Sequence, residues 1–173
     1  PFNFDDEAVV KFEVAQEAKY SGFGRDYATP RYRHLFYSSL IFNYSHGGLN
    51  PFGYHLVNTS LHFFTSIVIF LIVSITIEKG LSLRKKEAFL IASLTPLLFA
   101  INPVNSETVN YISARAVGMS SFFYLSALLS FILGSFRERK VIPRFLLYFL
   151  SLACFLASIL SKETALTFPI ALL

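Results

Sequence analysis

LVNTSLHFFTSIVIFLIVSITI, residues 56–77, contains no Lys, Arg, Asp or Glu. A hydrocarbon core roughly 30 Å thick is crossed by about 20 apolar residues of helix, so this stretch is long enough to span a bilayer. Outward from it, residues 88–106, 116–136 and 145–161 are equally free of formal charge. The last is a residue or two short and is completed by flanking side chains that snorkel to the interface. A fifth apolar run begins at Thr164 and continues to Leu173. The expected fold is therefore all-α, a polytopic transmembrane helix bundle. Its spans lie near 56–77, 88–102, 116–136, 145–161 and 165–173, the last truncated.

The totals agree. The chain has 173 residues, 54% of them hydrophobic, and a mean hydropathy of +0.53. That is too apolar for an ordinary soluble domain. It starts at Pro1 and ends within an apolar run, and so reads as a fragment cut at both ends. The net charge of +4 is concentrated in two short loops, which points to membrane topology rather than to nucleic acid. Cys154 is the single cysteine. It has no internal partner, and no Cys/His spacing suggests a metal.

Loop charge orients the spans. Lys79, Arg84, Lys85 and Lys86 crowd the 78–87 loop, and Arg137, Arg139, Lys140 and Arg144 the 135–144 loop. Both loops are expected in the cytoplasm. Residues 1–55, the 102–116 connection and the corner Ser161-Lys162-Glu163-Thr164 then share the opposite side. Residues 1–55 form an extracytoplasmic first loop. Within it FEVAQEAKYSGFGRDYATPRYR reads as a short helix followed by a Gly/Pro-punctuated loop. LFYSSLIFNY, residues 35–44, is too short to span and fits a helix lying at the interface. Asn102-Pro103 looks like a helix start, with Asn at the cap and Pro at the first position. A helix from there would set Glu107, Tyr111 and Arg115 on one broad face. Pro96 is expected to kink the second span.

The ionisable residues gathered on the extracytoplasmic side are the candidates for chemistry. Asp5-Asp6-Glu7 are adjacent carboxylates, and one of them beside a membrane could take a proton from a hydroxyl acceptor. The plainer reading is a solvated helix N-terminus, where acids favour the dipole. Arg115 and Lys162 stand at span mouths and could hold a phosphate or pyrophosphate. Alternatively they anchor the interface, or Arg115 pairs with Glu107 and Lys162 with Glu163. His55, Asn58 and His62 form one stripe on the first span. A third metal ligand at sensible spacing is missing there, and hydrogen bonds to a neighbouring helix explain the stripe better. Asn43-Tyr44-Ser45 and Asn58-Thr59-Ser60 match the weak N-glycosylation pattern. No Gly-rich phosphate loop and no nucleotide fingerprint is present.

Several strings together resemble a known family. FNFDDEAVV, YRHLFYSSLIFNYSHGGLNPFGYHLVNTSLH, LLFAINPVNSETVNYISARAVGMSSFFYLSALL and LSKETALTFPIALL are similar, in this order, to the N-terminal membrane region of the transmembrane and tetratricopeptide-repeat O-mannosyltransferases and their bacterial homologues. The resemblance implies a GT-C membrane glycosyltransferase with repeats beyond the spans. A sugar, mannose in the animal members, would move with inversion from a polyprenyl-phosphate carrier to a Ser or Thr hydroxyl of a protein acceptor. It implies no cofactor, and the lipid-linked sugar is a substrate. Asp5 would be the base, with Asp6 the second choice. Arg115, Lys162, His55 and Arg33 would bind the donor phosphate, and Glu107 and Glu163 would orient those cations. The 35–44 stretch would sit beside the carrier lipid. The membrane would be the endoplasmic reticulum in a eukaryote or the inner membrane in a bacterium, with the site facing lumen or periplasm. A fragment lacking its first span would be inactive alone.

The chain departs from the family pattern in two places. Tyr32-Arg33-His34 stands where YRP is usual, and Asn105 where a second His follows an HP pair. Related enzymes often carry Arg near His55. If His55 replaces it, phosphate contact becomes pH-sensitive, because imidazole titrates near neutrality. Two rival functions remain open. A transporter or flippase of a lipid-linked substrate would place its polar groups near the midplane. A non-catalytic membrane anchor of a repeat protein would tolerate loss of both Asp5 and Asp6.

Overall fold

The computed structural model describes residues 6, 9, 10, 33–80, 83–136 and 141–171. Every regular element among them is helical. Helix α1 is His34–Gly47, α2 Pro51–Gly80 and α3 Lys85–Ile101. A 3-10 turn, Pro103–Asn105, leads into the short α4, Ser106–Asn110. Then follow α5, Arg115–Ser135, and α6, Val141–Ser161. A second 3-10 turn, Glu163–Thr167, precedes α7, Phe168–Ala171. Asp5, Glu7, the helix and loop expected within 12–33 except Arg33 itself, and Arg137, Arg139 and Lys140 lie outside the described residues.

Three segments are long and apolar enough to cross a membrane: Pro51–Gly80, Arg115–Ser135 and Arg144–Ser161. A fourth passes as a bent pair, Lys85–Ile101 with Pro103–Asn110, which meet at 52°. At about 1.5 Å per residue, the 30 residues of α2 reach beyond a hydrocarbon core at both ends. The bundle turns large apolar side chains outward: Phe63, Phe64, Phe89, Leu98 and Phe149 are all exposed. Its interior holds Thr65, Ser120, Ser130, Ser151 and Ser158. In lipid that arrangement is favourable. Apolar surface gains little by leaving an apolar solvent, while small hydroxyl residues let backbones approach and hydrogen-bond.

The α5–α6 pair shows the rule. Ser158 Oγ donates to the Ser120 carbonyl at 2.8 Å, and Ser151 Oγ to the Ala127 carbonyl at 2.8 Å. A Cβ on Gly134 would stand 3.1 Å from the Tyr148 ring. Positions 120, 127 and 134 recur at heptad spacing, and 158 and 151 answer them in reverse order. This is an antiparallel seam of small residues. Between α2 and α3, His62 Nε2 donates to the Ala100 carbonyl at 3.2 Å and its ring stacks on Phe99.

The second span breaks at Asn102, six residues beyond Pro96, which lies inside α3. Asn102 Oδ1 accepts the Val104 N–H at 3.0 Å, with Pro103 at the first position, so the expected cap forms. The helix it starts is shorter than expected. Tyr111 is extended, with ψ 126°, and helix resumes only at Arg115. Glu107, Tyr111 and Arg115 therefore do not share one helix. Tertiary bonds replace the helical ones there: the Asn58 amide takes the Tyr111 carbonyl at 3.0 Å, and Asp6 takes the Ser113 N–H.

The two ends of the bundle are built differently. At one end Lys79 Nζ lies 5.4 Å over the Phe136 ring, and Arg144 Nη2 reaches the Phe136 carbonyl. Arg84 pairs there with Glu87. The opposite end carries α1, which ends on Gly48 at φ 55°, a left-handed position that favours glycine. The Tyr54 hydroxyl closes that corner on the Gly48 carbonyl at 2.9 Å. Val10, Phe36, Leu40, Tyr54, Ile112 and Ala116 form one apolar cluster beneath it.

Candidate functional site

Arg115 is the first residue of α5 and is fully buried. Burying a cation is costly unless hydrogen bonds replace its water. Here neutral oxygens do so. Nε donates to Asn58 Oδ1 at 2.8 Å, Nη1 to Asn43 Oδ1 at 2.7 Å and to Ser39 at 3.3 Å, and Nη2 to the Tyr54 carbonyl at 3.0 Å. The Tyr54 ring lies 5.6 Å from the guanidinium carbon. None of these partners is a carboxylate. The polar residues come in pairs four apart, Ser39 and Asn43 on α1, Tyr54 and Asn58 on α2. That spacing sets each pair on one helix face. Asn58 works in both directions: its Oδ1 holds Arg115, while its Nδ2 holds the Tyr111 carbonyl at 3.0 Å and reaches that of Val109 at 3.5 Å.

Asp6 meets the same structure from the other side. It is fully buried, and its Oδ1 accepts the Ser113 N–H at 2.9 Å. Ile112, next to Ser113, packs in the apolar cluster with Val10. Residues 6 and 10 thus dock on the 111–114 break, the break on Asn58, and Asn58 on Arg115.

A second polar link crosses the same end. Arg33 Nη2 donates to Glu163 Oε1 at 2.9 Å, and its Nε to Oε2 at 3.3 Å. That two-point bond holds the Glu163 carboxyl down at about 2 and raises the Arg33 guanidinium further. Both residues are therefore charged at neutral pH. The pair is exposed, so salt screens it. Glu163 is thus partnered by Arg33 rather than by Lys162. Lys162 is half-buried and makes no ion pair among the described residues. His55 is half-buried on α2, and Glu107 is exposed on α4, apart from the Arg115 bonds. Among the described residues no group of three His, Cys, Asp or Glu could hold a metal.

Two cavities adjoin at this end of the bundle. One of about 90 Å³ is headed by Arg115, Asn58, His62, Asn105 and Thr108. The other, an open groove of about 340 Å³, is walled by Ser120, Ser121, Tyr124 and Thr164. They share Thr65, Phe99 and Ser121 in their walls, and the groove reaches Thr164 and Ala165.

The His55, Asn58 and His62 stripe was expected to bond neighbouring helices, and Asn58 and His62 do. Ser39, Asn43, Tyr54 and Ser113 were not anticipated as partners. The available signal was two polar residues four apart inside an otherwise apolar stretch.

Comparison with known proteins decides the family. The chain is 32% identical over 154 residues to the human protein O-mannosyl-transferase TMTC1, covering 84% of this chain. It is 32% identical over 136 residues to Drosophila melanogaster Tmtc1, covering 79%. With mouse TMTC2 it shares 39% identity over 102 residues, 56% of this chain. The chain belongs to the TMTC protein O-mannosyl-transferase family. It matches only 11 to 16% of the length of these relatives. No family model matches the chain, and no solved structure does.

Proposed function

We propose that the protein this chain represents is a GT-C-type glycosyltransferase of the membrane, moving a sugar from a polyprenyl-phosphate carrier to a protein Ser or Thr hydroxyl. Mannose is the sugar that the relatives' names indicate. In the reaction Asp5 takes the acceptor proton, and the hydroxyl oxygen bonds to the anomeric carbon. The anomeric C–O bond to phosphate breaks, and the polyprenyl phosphate leaves with the electron pair. Attack from the face opposite the phosphate inverts the centre. Arg33, Lys162 and His55 offer positive charge or N–H donors to the leaving phosphate, in the manner of other electrostatic sites. Glu163 orients Arg33.

The observation that carries this reading is convergence. Asp6, the Arg33–Glu163 pair, Lys162 and an open groove all occupy one end of the bundle. The carrier chain fits the groove below, and the acceptor approaches from water. That end faces the lumen or periplasm.

The test uses the full-length protein in lipid, with polyprenyl-phosphate mannose as donor and a Ser/Thr peptide as acceptor. The expected result is transfer with wild type and a loss of about 10³-fold or more with Asp5→Asn, the scale of general-base and positioning effects together. Undiminished transfer by well-expressed Asp5→Asn would remove Asp5 from its role. Absence of transfer by wild type from any lipid-linked sugar would leave the chain as a membrane anchor.

A further inference from the structure

Arg115 stands where a donor phosphate was expected to bind, yet its side chain has no exposed surface and its donors are directed at protein oxygens. To grip a phosphate directly it would have to abandon Asn58, Asn43 or Tyr54. Those bonds tie down two helices. Asn43 and Ser39 belong to α1, whose Phe36 and Leu40 pack with Val10. Tyr54 and Asn58 belong to α2. Through the Asn58 amide the same guanidinium is coupled to the 109–111 carbonyls, two residues from the N–H that binds Asp6.

We propose that Arg115 is a positioning residue: it locks α1, α2 and the 109–114 break into a platform on which Asp6 and Val10 are seated. In this arrangement Asp6 is an anchoring carboxylate, held by the Ser113 N–H, which leaves the role of base to its neighbour in sequence. The kinetic part of the proposal rests on the transferase reading above; the structural part does not. A guanidinium suits the task because its five N–H groups lie in a fixed plane and reach α1 and α2 at once, with Asn58 passing the link to the break. An ammonium at the same place could not satisfy oxygens spread around that plane.

The experiment uses the full-length protein in lipid nanodiscs, comparing wild type, Arg115→Lys and Asn43→Ala. Amide hydrogen exchange across 109–114 reads the platform. Steady-state transfer from polyprenyl-phosphate mannose reads the chemistry. Exchange at 109–114 is expected to quicken by about tenfold or more in Arg115→Lys and less in Asn43→Ala. kcat should fall by about 10²-fold in Arg115→Lys, the cost of a misplaced catalytic group, with donor KM within about twofold. A donor KM raised about tenfold with unchanged exchange would make Arg115 a phosphate ligand and overturn the proposal. Unchanged exchange in both variants would overturn it as well. If Arg115→Lys fails to fold, Asn43→Ala and Ser39→Ala keep the cation and decide by the same exchange readout. Faster exchange in a protein that transfers no sugar even as wild type would uphold the platform and refute the transferase reading.

Discussion

Helix α5 is held by two different kinds of physics at its two ends. At Arg115 a buried cation donates directed hydrogen bonds to oxygens of two other helices. Along 120, 127 and 134 the same helix lies against α6 through small residues and single hydroxyls. The first contact specifies geometry and depends on every partner being present. The second is repetitive, and each position contributes modestly. A membrane protein can afford the second kind anywhere in the hydrocarbon. The first belongs near an aqueous end, where a charge can be brought in and where a precise arrangement is useful.

The contrast predicts unequal costs. Arg115→Leu should destabilise most, by about 3 kcal/mol or more, because it strands buried oxygens of Asn58, Asn43 and Tyr54 with no donor. Thermal unfolding in detergent reads this; a change below about 1 kcal/mol would mean that water replaces the guanidinium freely. Gly134→Leu should cost about 1–3 kcal/mol through overpacking, since even a Cβ would press on Tyr148 and Leu147. Ser158→Ala should cost about 0.6 kcal/mol, the usual scale of an interhelical hydrogen bond in lipid. If Ser158→Ala cost as much as Arg115→Leu, the distinction between hub and seam would collapse.

The spans were legible in the sequence because hydrophobic length is a one-dimensional property: charge-free runs mark α2, α3, α5 and α6 directly. The break at 111–114 was not. Its helical continuation is locally plausible, and what overrides it is an amide from Asn58 and a carboxylate from Asp6, more than fifty and a hundred positions away. The pairing of Glu163 with Arg33 rather than Lys162 was hidden in the same way, by a separation of 130 residues.

That pair should show the smallest effect. Because its carboxyl is depressed, Glu163 contributes stability above the ordinary carboxylate range and loses it as pH falls towards about 2. Glu163→Gln should therefore lower Tm slightly at pH 7. The difference from wild type should narrow below about pH 4 and also shrink in high salt. A difference that grew on acidification would place the proton elsewhere.

The account depends most on Arg33, the Arg115 platform and Lys162 facing one aqueous compartment while the Lys85 loop faces the other. With Cys154 replaced by Ser in the full-length protein, Arg33→Cys, Lys162→Cys and Lys85→Cys are made singly and treated with a membrane-impermeant maleimide in sealed, oriented vesicles. Arg33→Cys and Lys162→Cys are predicted to label from the same side and Lys85→Cys only from the opposite one. Labelling of Arg33→Cys and Lys162→Cys from different sides would contradict the shared site.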